Sequence, residues 1–217
     1  MIPLPNKKYG LIVIDPPWQI KKLTHKARPN QINMDYSLMS IDEIKQIPLQ
    51  SISKENSWCF LWTTQKYLFQ AKEILEGWGF KYLLLMTWKK LAGRSEGMPL
   101  FGFRWNSEFI LVGYKGKIPL WVKGKPLIKT CFEGVNIRHS QKPQEFYNFI
   151  QELDKDRIDI FARKQRLGWD VYGNEIDAQA PLNIQQLSEV KVADGTPTTN
   201  DGIPPNNKLS GILPTIL

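Results

Sequence analysis

Short apolar runs alternate with helix-like stretches along most of this chain, and that alternation restricts the fold more than any other feature. "YGLIVID" (9–15), "SWCFLWTT" (57–64), "YLLLMTWKK" (82–90), "SEFILVGYKG" (107–116), "RIDIFAR" (157–163) and "WDVYGNEI" (169–176) each have the length and apolar content of a strand. Between them lie three helix-like stretches. "SIDEIKQI" (40–47) places Ile41, Ile44 and Ile47 on one face, with Ser40 and Glu43 spaced as a capping box. "KYLFQAKEILEGWGF" (66–80) reads as a helix ended by Gly77 and Gly79, and "KPQEFYNFIQEL" (142–153) as a helix with Pro143 in its first turn. Strands alternating with helices predict an α/β fold: a mostly parallel sheet with helices on both faces.

At 217 residues and 42% apolar content, the chain can bury one sizeable core. Residues 1–177 are expected to form that domain. Residues 178–217 change composition, with "DGTPTTNDGIPPNN" in their middle, and read as a low-complexity, mobile C-terminal tail. No run reaches the roughly 18–20 apolar residues of a membrane span, so no membrane partner is expected. Cys59 and Cys131 make neither a disulfide framework nor a zinc site, and no secretory leader is visible. The expected location is therefore intracellular, and cytoplasmic if the source is bacterial or phage. The net charge is +8. The tail holds Lys191 and Lys208 against Glu189, Asp194 and Asp201, so the positive excess lies in residues 1–177. Such a balance suits a polyanion such as nucleic acid.

The stretch "LIVIDPPWQI" (11–20) carries the clearest chemistry. Ligands of open parallel sheets bind beyond the carboxyl ends of the strands, where Asp15 is expected. Pro16 and Pro17 have no N–H and fix their own φ, so the Asp15 and Pro16 carbonyls are expected to be free acceptors. Trp18 offers a flat face for stacking a base. Asp15, Pro16, Pro17 and Trp18 together form the candidate catalytic set, a cradle for a planar group bearing an NH2. The lone pair of such an amine is delocalised into its ring. Fixed acceptors can favour a more pyramidal nitrogen and stabilise the charge that develops as it attacks a methyl sulfonium.

"LIVIDPPWQI", "MDYSLMSIDEIKQIPL", "HSQKPQEFY" (139–147) and "IDIFARKQRLGWDVYGNEI" (158–176) occur in one order and spacing. On these blocks the chain resembles the DPPW-motif adenine-N6 methyltransferases, from about Tyr9 to Ile176. That family includes the catalytic subunit of the eukaryotic mRNA adenosine methyltransferase and many phage and bacterial members. The resemblance implies a Rossmann-like S-adenosylmethionine-dependent fold in the β-class motif order, with one antiparallel strand. It implies that Asp15 binds the target amine near the methionine end of the cofactor. It further implies that Asp15 itself, with Lys142, Phe161, Arg163, Asn174 and Glu175, binds S-adenosylmethionine, with S-adenosylhomocysteine as product. Lys142 would approach the cofactor carboxylate, and Glu175 can accept ribose hydroxyls as acids do in dinucleotide sites. Larger members carry a segment before the catalytic strand and upstream RNA-capture modules. Neither is expected here, so the contacts to the cofactor adenine are unassigned.

Basic residues gather in stretches flanking this motif. Lys21, Lys22, Lys26 and Arg28 follow it, Lys89, Lys90, Arg94 and Arg104 follow the third strand, and Lys129, Arg138 and His139 precede the last helix. Lys22, Lys26, Arg28, Lys89, Lys90, Arg94, Arg104, Arg138 and His139 are the candidate nucleic-acid contacts. His25 and His139 have no metal-ligand companions, so no metal is expected. DNA is favoured over RNA as substrate, and a homodimer or a methyltransferase-like partner subunit is expected. Two other readings are a non-catalytic nucleic-acid-binding subunit and a cytosine-N4 methyltransferase.

Overall fold

The computed structural model describes residues 4–19, 38–91, 106–117, 127–134 and 142–173. All belong to one compact unit. Strand β1 (Tyr9–Ile14) is followed by helices α1 (Ile41–Lys45) and α2 (Leu49–Ile52), then strand β2 (Ser53–Thr63). A 3-10 turn (Gln65–Tyr67) leads into α3 (Leu68–Gly77), then β3 (Lys81–Lys90), β4 (Ser107–Lys115) and β5 (Cys131–Gly134). Helix α4 (Gln144–Ile150), β6 (Arg157–Ile160) and β7 (Asp170–Tyr172) complete the fold.

The seven strands form one sheet in the order β5-β3-β4-β2-β1-β6-β7. Among the described strands only β4 runs antiparallel to its neighbours, β2 and β3. The parallel sheet with one reversed strand agrees with the expected fold class. Every residue of β1 is buried, because it pairs on both edges and is covered on both faces. Alternation along β1 divides the core. Ile12 and Ile14 pack with Ile44 of α1, Leu49 and Ile52 of α2, and Ala71, Ile74 and Leu75 of α3. Leu11 and Val13 pack with Trp62, Trp88 and, from α4, Phe146, Tyr147 and Ile150.

Local chemistry sets the ends of the elements. Ser40 and Glu43 form the expected capping box, the Glu43 amide donating to the Ser40 hydroxyl at 3.2 Å and the Ser40 amide to the Glu43 carboxylate at 2.7 Å. At the end of α3, the Gly79 amide donates to the Glu76 carbonyl and the Phe80 amide to the Leu75 carbonyl. This is a Schellman closure, and Gly79 supplies its left-handed residue at φ 82°. Three elements differ from expectation. The stretch around Cys131 forms the short edge strand β5, and "PLQSI" adds α2. The expected strand 157–163 stops at Ile160, because Phe161 turns into the left-handed region at φ 63°. The expected tail, residues 178–217, lies outside the described residues.

A buried ion-pair site at the end of β1

Chain direction changes sides at β1. The chain leaves β1 for β2 on one edge and returns to its other edge as β6. A crevice opens at such a switch point, beyond the carboxyl ends of the strands. Asp15 sits there, its amide bound to the Ile160 carbonyl at 3.2 Å. Because β4 is antiparallel, its first residues reach the same end of the sheet, where Glu108 lies opposite Trp88 near the end of β3.

The Lys142 ammonium bridges the two acids. It is 3.1 Å from Asp15 Oδ2 and 2.8 Å from Glu108 Oε2. The Trp62 ring centroid lies 4.6 Å from the same nitrogen. Lys90 holds the second Glu108 oxygen at 2.6 Å. These side chains are only 10–20% exposed, so their mutual interactions are weakly screened. Burial pushes the Glu108 carboxyl up, but Lys142 and Lys90 outweigh it and bring its pKa to about 2. Burial favours a neutral Lys142, but Asp15 and Glu108 overcome it and hold the lysine charged. For Asp15 burial wins: Lys142 and Arg163 lower its pKa and Glu108 raises it, leaving it above the usual carboxylate value.

A second buried group lies beside the first. Ile158 and Ile160 of β6 point to the α3 face, so Asp159 points to the α4 face. Tyr147 donates its hydroxyl to Asp159 Oδ2 at 2.8 Å, and Arg166 donates Nη1 to the same oxygen at 2.9 Å. The Arg166 guanidinium lies 3.4 Å from the Tyr147 ring centroid. Burial lifts the Asp159 carboxyl to about 7 despite Arg166 and Tyr147. Asp15, Lys142, Tyr147, Asp159, Phe161, Ala162, Arg163 and Arg166 line one concavity. Its carboxylates suit an ammonium or sulfonium, and its cations suit a carboxylate. The donor set therefore fits the methionine part of S-adenosylmethionine.

The structure brings Asp15, Lys142, Phe161 and Arg163 together, as the sequence blocks suggest. It corrects three readings. Trp18 is not an open stacking face: it is 5% exposed, and its ring stacks on Tyr67 at 5.1 Å and 16°. Its indole N–H donates to the Trp62 carbonyl at 3.0 Å, so Trp18 braces the turn against β2. The Pro carbonyls are not free either. The Pro16 carbonyl accepts the Trp18 amide at 2.8 Å and the Pro17 carbonyl the Met39 amide at 2.9 Å. A peptide carbonyl can accept twice, but these two are already held in place. Lys90 is committed to Glu108 rather than to a phosphate rim. Lys89 is half-exposed and paired with Glu133 at 2.7 Å.

Asn174 and Glu175 lie outside the described residues, as do Lys22, Lys26, Arg28, Arg94, Arg104, Arg138 and His139. Sequence reasoning missed Glu108, Asp159, Tyr147 and Arg166. An acid at the start of an otherwise apolar strand, and another inside "IDIF", were the available signals. Among the described residues no cluster of metal-ligating side chains occurs, and no helix is long and apolar enough to cross a membrane.

Comparison with known proteins gives a consistent picture. The family model described as MT-A70 matches residues 9–175. The type II methyltransferase M.MunI of a Mycoplasma species is 30% identical over 191 residues, which cover 80% of each chain. The human N(6)-adenine-specific methyltransferase METTL4 is 29% identical over 81% of this chain and 39% of its own length. The human N(6)-adenosine-methyltransferase catalytic subunit METTL3 is 24% identical over 85% of this chain and 31% of its own. The match thus spans four-fifths of the Mycoplasma protein and well under half of either human protein.

Proposed function

The chain belongs to the MT-A70 family of S-adenosylmethionine-dependent methyltransferases, and we propose that it moves the methyl group of that cofactor to the N6 amine of adenine in DNA. The observation that carries this reading is Asp15, held by β1 at the switch point and sharing one concavity with Lys142, Phe161 and Arg163. S-Adenosylmethionine supplies the methyl group when bound. The chain's own residues do the rest. Asp15 accepts an N–H of the amine and stabilises the positive charge that develops on nitrogen. Pro16 and Pro17, pinned through their carbonyls, keep that carboxylate aimed. Lys142 and Arg163 hold the methionine carboxylate, Phe161 packs against the cofactor, and Asn174 and Glu175 hold its ribose and methionine parts. Lys22, Lys26, Arg28, Lys89, Arg94, Arg104, Arg138 and His139 form a rim for phosphates, and a base in duplex DNA is flipped out to reach Asp15. The preference for DNA follows the resemblance to small phage and bacterial members; the Mycoplasma relative, matched over most of both chains, is named as a type II methyltransferase. The chain works within a cell, as a homodimer or with a related subunit.

The test is transfer of tritiated methyl groups to DNA and RNA, followed by nuclease digestion and nucleoside analysis. The expected product is N6-methyladenine in DNA. Label in cytosine would make the chain a cytosine-N4 enzyme, and label confined to RNA would overturn the DNA assignment. No label, with no cofactor binding by calorimetry, would make it a non-catalytic subunit.

A further inference from the structure

The two acids at the end of β1 depend on one ammonium unequally. Lys142 touches Asp15 at 3.1 Å and Glu108 at 2.8 Å. Glu108 has a second ammonium, that of Lys90, at 2.6 Å on its other oxygen. Asp15 takes its ion pair from Lys142, with Arg163 acting on it through space. A ligand carboxylate entering this concavity therefore competes with Asp15 for the ammonium. Drawing Lys142 off Asp15 alone is the smaller change, because the contact to Glu108 survives and the nitrogen stays over Trp62. The consequence for Asp15 is chemical. A carboxylate already neutralised by an ammonium accepts an amine N–H poorly and stabilises developing positive charge weakly.

We propose that Lys142 is a positioning residue whose ammonium pivots on Glu108, passing from Asp15 to the cofactor carboxylate and so freeing Asp15 for the target amine only when cofactor is bound. This rests on the methyltransferase reading above. Glu108 becomes a second positioning residue, the fixed partner of the pivot, held by Lys90. Cofactor loading and amine binding are then coupled through one side chain, and by linkage each strengthens the other.

The test uses the desamino analogue of S-adenosylhomocysteine, which carries the carboxylate but neither the sulfonium nor the α-ammonium, so attraction between Asp15 and either cation does not enter. Its dissociation constant is measured by calorimetry on the full chain as wild type, Asp15→Asn, Lys142→Met and the double variant. Asp15→Asn removes the competitor for Lys142 and should tighten binding about five- to tenfold, a size usual for directly coupled groups. With Lys142→Met as background, Asp15→Asn should change binding by less than about twofold. Lys142→Gln serves the same comparison if the methionine variant does not fold. Unchanged or weaker binding by Asp15→Asn would overturn the pivot, as would equal tightening without Lys142. A wild type that binds neither this analogue nor S-adenosylhomocysteine would remove the methyl-donor reading itself, which is a distinct result.

Discussion

Replacing Lys142 with methionine gives the sharpest test of the ion-pair site as a structural unit. The side chain is only 10% exposed and sits between two acids. At 3.1 Å and an effective dielectric near 20, its attraction to Asp15 is about 5 kcal/mol before desolvation is counted. Removing the lysine also removes the cost of burying it, and Glu108 keeps Lys90, so the net loss falls at the lower end of the usual range for a broken buried pair, about 3 kcal/mol. With a urea dependence near 2 kcal/mol per molar, the unfolding midpoint drops by about 1.5 M at pH 8. The loss must depend on pH. The folded pKa of Asp15 already lies above its unfolded value, and losing the cation raises it further. The part of the cost that comes from Asp15 is therefore absent below the unfolded value near 4 and grows as pH rises through the folded value, while the part from Glu108, ionised down to about pH 2, is present at both ends. Urea titrations at pH 4 and pH 8 read both quantities. A midpoint shift under about 0.3 M at pH 8, or an equal shift at both pH values, would refute the reasoning.

Further outcomes follow from other parts of the fold. Trp18→Phe removes the indole donor from the buried Trp62 carbonyl and should cost about 1–3 kcal/mol in denaturant unfolding, while the KM for nucleic acid stays within about twofold; a large rise in KM with unchanged stability would restore Trp18 as a stacking face. Gly113→Ala should cost about 1–3 kcal/mol, because the new Cβ would meet Leu75 Cδ2 at 2.9 Å and Cγ at 3.1 Å, and that fully buried side chain must shift; an unchanged unfolding midpoint would contradict that packing. For Asp159 the folded pKa is about 7 against an ordinary 3.8, so the native state binds more protons than the unfolded state between about pH 4 and 7. Its contribution to stability falls as pH rises through that window, and Asp159→Asn should flatten that part of the stability-pH curve; an unaltered slope would place the titration elsewhere. Glu175→Ala should weaken cofactor binding in calorimetry, and an unchanged dissociation constant would remove its assigned role.

Most of the sheet was legible because its strands are short apolar runs with clear ends, and α1 because Ser40 and Glu43 fall at capping-box spacing. The strand β5 was not, since it has four residues, pairs at the sheet edge and buries only Phe132 and Gly134. The acid Asp15 was readable from its position after β1. Its neighbour Glu108 was not, because only the reversal of β4 between β2 and β3 brings the start of that strand to the site. Nothing local in the sequence encodes a strand's direction. Trp18 misled for a related reason: a tryptophan at a strand end can face a cleft or a core, and Tyr67, nearly fifty residues on, decides it. Asp159 was hidden inside an apolar strand pattern, where the period of two sends it to the opposite face from its isoleucine neighbours.

The central claim is that Asp15 is the group that handles the target amine. Single-turnover methyl transfer to DNA, with enzyme in excess and cofactor saturating, measures that step directly. Asp15→Asn should slow it by about a hundredfold or more, as loss of a charge-stabilising group does, with S-adenosylhomocysteine still bound. A single-turnover rate within a few-fold of wild type would contradict the account.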